Sequence, residues 1–334
     1  MRFVVRTVGV MTVAGAALVT VSLTNESVVR AQSPQITAAP KVRLPDESTG
    51  IDGIARTLIT AFDQFDILAL GEAHGRKLDS DLRIAVVRHP DFAKKVRFIV
   101  VEFGSTTAQP ILDSYIRGED VPRTQLEQVW KTTTQGANLD SRFFIDFFAA
   151  VRDVNSKLSA DRRIRVFGGD PGPGDTRSRD GAAVSILKEQ VLLKHGKALV
   201  IYGAAHFYRA EVGQVLRSVG GGIAKTLEAE YPGRTFAVIP VGGRTELPPG
   251  VHLNIKPDLQ KFDRALNTPV RPVLVSLQRP PFRDLTAEEF LGYQMLNCRG
   301  PGGCVSAFKG SSLTLGQMAD ACVYVGGSEQ ANSP

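Results

Sequence analysis

Four short apolar runs in this chain break in the same way, into glycine with an acid or a histidine close behind, and that repetition constrains the fold. Residues 65–70 lead into Gly71-Glu72-Ala73-His74-Gly75, and residues 97–103 end in Glu102-Phe103-Gly104. Residues 164–167 lead into Gly168-Gly169-Asp170-Pro171, and residues 198–202 into Gly203-Ala204-Ala205-His206. Stretches such as Phe98-Ile99-Val100-Val101 have no polar alternation, so they suit strands covered on both faces. Further strands are expected at 235–241, 273–277 and 322–325, with helical patterns at 79–87, 108–116, 124–130, 141–158, 181–194 and 211–219. Phe143, Phe144, Phe147 and Phe148 recur at helical spacing and read as a core stripe. Strand-to-strand crossovers of this length predict an α/β fold, a largely parallel or mixed central sheet with helices on both faces.

In such a sheet the C-terminal strand ends share one edge, where open α/β folds bind ligands. Glu72, His74, Glu102, Asp170 and His206 therefore converge on one crevice. A charged group just after an apolar strand is costly unless it is paired, hydrated or bound. Acids there also cap helices and bind loop amides, but independent caps do not account for two strand-end histidines. Arg76 and Arg209 follow His74 and His206 closely enough to be candidates for the same crevice, and Tyr202 and Tyr208 flank the second motif. His195 before Gly196 reads as a helix end with the glycine as left-handed cap. The chain has no Gly-x-Ser-x-Gly elbow, no His-Glu-x-x-His, no phosphate-binding Gly-x-x-x-x-Gly-Lys loop and no Cys-x-x-Cys.

Arg2 and Arg6 precede an uncharged stretch from Val8 to Leu23, followed by Val29-Arg30-Ala31. This is the pattern of a signal peptide over residues 1–31, with a secreted or periplasmic product and no stable membrane span after cleavage. Residues 32–50 read as a flexible linker and 51–330 as a single α/β domain. Removing Arg2, Arg6, Arg30 and Glu26 takes the 40 basic and 34 acidic residues to 37 and 33. That scattered excess provides no stripe for nucleic acid. A small molecule or a peptide is the expected partner. In an oxidising compartment Cys298 and Cys304, which bracket a turn, are expected to pair, with Cys322 a buried thiol, although pairing of Cys304 with Cys322 stays open.

The paired Gly-x-x-His motifs, Gly71 to His74 and Gly203 to His206, enclose Glu72 and are joined by Glu102 on the next strand. This set resembles the superfamily of TIKI/TraB proteases, erythromycin esterases and ChaN-like haem-uptake proteins, over about residues 65 to 210. The resemblance implies catalytic or metal-binding roles for Glu72, His74, Glu102 and His206. Erythromycin esterases place one more residue between the motif glutamate and histidine, and Glu72-Ala73-His74 is closer to the ChaN-like spacing. The leading expectation is an exported hydrolase of ester or amide bonds. In one version His74, His206 and Glu102 hold Zn²⁺ or Mn²⁺ with an open water position. In the other His74 is a metal-free general base oriented by Glu72 or Glu102, with Arg76 or Arg209 facing the oxyanion and Asp170 and Tyr208 binding substrate. A haem-binding protein without catalysis is the alternative, with a tyrosine phenolate as iron ligand.

Overall fold

Residues Ile67–Glu72 show why the apolar runs are continuous. Leu68 and Leu70 enter one hydrophobic layer, whereas Ile67 and Ala69 enter the other. The computed structural model describes residues 47–134, 141–210, 222–243, 258–292, 296–300 and 303–327. The expected signal peptide, most of the linker and the helix at 211–219 lie outside the described residues.

Eight strands form one mixed sheet. In chain order they are β1 (Glu47–Thr49), β2 (Ile67–Glu72), β3 (Phe98–Ser105), β4 (Arg165–Asp170), β5 (Ala198–Gly203), β6 (Thr235–Val241), β7 (Val273–Ser276) and, after a separate hairpin, β10 (Ala321–Tyr324). Their spatial order is β1-β7-β10-β6-β2-β5-β3-β4. From β10 to β4 every neighbouring pair is parallel, while β7 runs antiparallel to both β1 and β10. The ends of β2, β3, β4 and β5 therefore share one edge, as the sequence pattern predicts.

One layer of helices comprises Gly50–Ala61, Lys77–Arg88, Gln109–Arg117 and Ser141–Ser156, through buried residues such as Leu58, Val86, Leu112 and Phe147. The opposite layer comprises Arg179–Ile186, Ile223–Glu230 and Leu259–Arg264, through Ala183, Leu227 and Phe262. Phe144, Phe147 and Phe148 are core residues, as their spacing predicts. No helix among the described residues is long and apolar enough to cross a membrane.

Three local expectations change. Residues 47–49 are a strand, not linker; Glu-Ser-Thr has no apolar period, and β1 is anchored by Glu47, which accepts from Arg279 at 3.0 Å. The helix expected to run to 194 holds α geometry only over Arg179–Ile186, then passes through a wider π turn, Leu187–Val191, and a tight 3₁₀ turn, Leu192–Lys194. His195 itself takes the left-handed conformation, φ 53°, in place of Gly196. The hairpin of β8 (Leu296–Gly300) and β9 (Gly303–Ser306) carries Cys298 and Cys304 on facing strands, and their side chains lie outside the described residues. Cys322 is a buried free thiol whose pKa burial pushes far up.

Candidate active site

Two of the strand ends are shaped to aim their side chains. Between Val101 and Ser105 the register of β3 on β4 shifts, and such an irregularity re-aims the residues inside it, Glu102 among them. After β2 the chain turns at Gly75, φ +77°, into the helix Lys77–Arg88. That turn is clasped by Asp79, which accepts from the Ala73 amide at 2.8 Å and takes both arms of Arg76, at 2.9 and 2.6 Å.

Glu102 is the centre of the cluster and only 2% exposed. One of its oxygens faces His206 Nε2 at 3.1 Å and pairs with Arg179 Nη2. The other accepts from the Gly203 amide at 2.7 Å and lies 3.8 Å from His74 Nε2. His206 also bonds Asp180 through Nδ1, so both its nitrogens face carboxylates. His74 Nδ1 meets Glu72 at 3.3 Å, and the other Glu72 oxygen accepts from Arg83 Nη1 at 2.6 Å. Arg83 is buried beneath three rings, 4.6 Å from the Phe103 centroid, 5.5 Å from Phe147 and 5.9 Å from Phe144, and donates to the Phe143 carbonyl at 3.0 Å.

Charge pairing dominates the acid-base properties. Burial alone would push Glu102 upward, but the hydrogen bond and charge of His206, with the charges of His74 and Arg179, hold it at about 2. Burial likewise disfavours the His206 imidazolium, and the hydrogen bonds to Asp180 and Glu102 overcome it, raising the pKa to about 9. Glu72 is lowered, because Arg83 and His74 outweigh its burial. His74 is raised, because the Glu72 hydrogen bond and the Glu102 charge outweigh its partial burial. At neutral pH His206 is thus a fixed cation, held between two carboxylates, whereas His74 stands at the exposed edge of the cluster.

The structure brings together Glu72, His74, Glu102 and His206 but assigns other predicted residues elsewhere. Asp170 is fully buried, accepting from the Thr134 amide at 2.6 Å, its hydroxyl at 2.8 Å and Arg179 Nε at 2.9 Å, so it orders a loop end and Arg179 and has no surface to offer a substrate. Arg76 is spent on Asp79. Arg209 forks onto Asp320 at 2.7 and 2.5 Å and reaches the Thr235 carbonyl at 2.8 Å. Thr235 pairs with Ile67 at the start of β2, roughly 16 Å of strand away from Glu72. Tyr208 is 1% exposed and packs edge-on against Phe308. Arg83, Arg179 and Asp180 are the residues that sequence reasoning missed. Arg83 had a signal, since a cation between Leu82 and Val86 on the buried face of a helix requires an acid partner.

The donor set does not fit a divalent ion. The nitrogens of His206 and the oxygens of Glu102 are already turned toward partners within the protein, Arg179 puts a cation at the centre, and among the described residues no three His, Cys, Asp or Glu side chains are arranged so that they could hold a metal ion. Haem ligation through a phenolate is equally ill served, because Tyr202 and Tyr208 are 0% and 1% exposed. A cavity of about 10 Å³, room for about one water, adjoins His74 between Ser80, Phe143 and Phe144. A larger groove of about 740 Å³ lies among Asp52, Arg56, Arg88 and Asp146 on the helical layer and holds none of the strand-edge residues.

No family model matches this chain, and no characterised protein matches it by sequence. Solved structures do. A succinoglycan biosynthesis protein aligns with TM-score 0.53 and 10% identity, over 81% of this chain and 90% of that one. A Bacillus cereus protein aligns with TM-score 0.52 and 13% identity, over 83% and 92%. The erythromycin esterase EreC, as a mutant in its open conformation, aligns with TM-score 0.51 and 11% identity, over 82% and 93%. At the level of fold, the resemblance read from the motifs holds. The chain shares its α/β fold with an erythromycin esterase, and at these identities the comparison speaks of fold alone.

Proposed function

We propose that this chain is an exported hydrolase of ester or amide bonds in which His74 is the general base. The observation that carries the reading is the setting of His74: 40% exposed at the sheet edge, with Glu72 at Nδ1 and Nε2 facing Glu102 across 3.8 Å. Glu72 accepts the Nδ1 proton and so selects the tautomer whose Nε2 has a free lone pair. At 3.8 Å the Nε2 atom is outside hydrogen-bonding range of Glu102, so it is not occupied by that carboxylate. A water seated beside His74 gives its proton to Nε2 as its oxygen attacks the substrate carbonyl, and the His74 imidazolium returns that proton to the departing alkoxide or amine as the ester or amide bond breaks, leaving the carboxylic acid product. The fixed His206 cation and Arg179 hold Glu102 ionised, and that anion favours the imidazolium which forms on His74. Arg179, bound to Glu102 through Nη2 and to Asp170 through Nε, keeps 22% of its side chain exposed beside the cluster and in this reading faces the oxyanion, the role expected of Arg76 or Arg209.

Export is proposed from Arg2, Arg6, the uncharged stretch from Val8 to Leu23 and the Val29-Arg30-Ala31 that follows it. The hydrolase reading is tested with mature protein and a panel of chromogenic esters and peptides, with and without chelator. Turnover that survives chelation and is lost in His74→Ala supports it. Absence of hydrolysis across the panel, or turnover abolished by chelation, overturns it.

A further inference from the structure

We infer that Asp180 is a positioning residue, holding His206 in the orientation that faces Glu102. Asp180 is 1% exposed and sits in the first turn of the helix Arg179–Ile186, where an acid ordinarily answers the helix dipole or a free amide. That local task is already done by Ser178, whose hydroxyl accepts from the Gly181 amide at 3.1 Å. Both Asp180 oxygens point to distant chain instead. One bonds His206 Nδ1, 26 residues on, and the other accepts from the Gly222 amide at 2.7 Å, 42 residues on. With Nδ1 held, the ring plane is set and Nε2 is delivered to Glu102 at 3.1 Å. Arg179, the preceding residue, reaches Glu102 and Asp170. One dipeptide thus addresses Glu102 by two routes, directly through a guanidinium and indirectly through an imidazole. Asp180 touches none of the atoms proposed to react and acts through His206, the general behaviour of a carboxylate behind a functional histidine.

The kinetic consequence rests on the hydrolase reading, and the structural claim does not, so the test has two arms. Asp180→Asn preserves shape and can still accept from Gly222 through its carbonyl oxygen, but turns a poorer acceptor or a donor toward His206. In ¹⁵N-histidine-labelled protein, the wild type should show a low-field Nδ1 proton, assigned by its loss in His206→Asn, because a buried imidazolium bonded to a carboxylate is strongly deshielded. Asp180→Asn should remove or move that signal while the remaining spectrum stays dispersed. On the best chromogenic ester, kcat should fall roughly ten- to a hundredfold with KM within about twofold. Asp180→Asn/His206→Asn should be no slower than His206→Asn alone, because residues acting through one another are non-additive. An unaltered His206 signal in Asp180→Asn overturns the positioning role, as do losses that add in the double variant or an unchanged kcat. If no ester is turned over by the wild type, the hydrolase reading fails, and the spectrum still decides whether Asp180 holds His206.

Discussion

His74 Nε2 lies 3.8 Å from Glu102, and a methyl group placed on Gly203 would sit 2.8 Å from that same nitrogen. Glycine at the end of β5 leaves the room in which His74 faces Glu102. Because His74 is 40% exposed, it can swing outward to accommodate a larger residue at little cost to the fold. Gly203→Ala should therefore lower kcat/KM by at least about tenfold, about 1.4 kcal/mol of transition-state stabilisation, while shifting the melting temperature little. An alanine variant with wild-type turnover would remove His74 from the account.

The pH dependence follows from Glu72. Activity requires neutral His74, so the acid limb of kcat/KM should fall above 6.5, the ordinary histidine value, because Glu72 and Glu102 raise its pKa. Glu72→Gln takes away the carboxylate that stabilises the imidazolium. The limb should then move to lower pH as the maximal rate drops, since the tautomer is no longer selected. A limb that stays in place or moves upward would show that another group titrates.

Arg83 tests the energetics of the buried half of the site. Arg83→Met keeps an apolar stem beneath Phe103 but leaves Glu72 without its cation, and breaking a buried pair from one side costs about 3–5 kcal/mol. Chemical denaturation should show a loss of that order. Adding Glu72→Gln to Arg83→Met should recover part of it, because the uncompensated charge goes. A double variant less stable than either single would contradict the pairing.

His206 and Glu102 also predict a stability window. Glu102 falls from 4.5 to about 2 on folding, so its contribution is complete above pH 4.5 and is lost as pH drops toward 2. His206 rises from 6.5 to about 9, so its contribution is complete below pH 6.5 and is lost as pH climbs through 9. The stability difference between wild type and His206→Asn should peak between about pH 4.5 and 6.5 and shrink on both sides. A difference flat from pH 5 to 10 would refute the paired state.

The sheet and its edge were legible because period and punctuation agree: apolar runs without alternation demand two covered faces, and glycine with an acid or histidine marks where each strand gives way to a loop. Side-chain direction was not legible. Arg209 stands three residues from His206, yet the chain turns back along the sheet there and commits its guanidinium to Asp320. His74 and His206 look alike in sequence but differ in setting: one has 40% of its side chain exposed at the edge of the cluster, whereas the other has 4% exposed and is held as a cation between two carboxylates. For the same reason His206→Ala is not a mild change: it takes the cation from between two buried carboxylates, Glu102 and Asp180. Asp180 was hidden because an acid in the first turn of a helix is ordinarily a local partner of that helix, and only the tertiary structure shows both of its oxygens facing distant residues.

The most direct measurement is the hydrolysis rate of purified mature His74→Ala on the best chromogenic ester, in chelator, beside the wild type. With His74 as the general base, the variant should be folded with an unchanged melting temperature, because the lost side chain is exposed, and its kcat should fall roughly a hundredfold or more, the usual contribution of such a base. A folded His74→Ala that turns over the ester as fast as the wild type would contradict it.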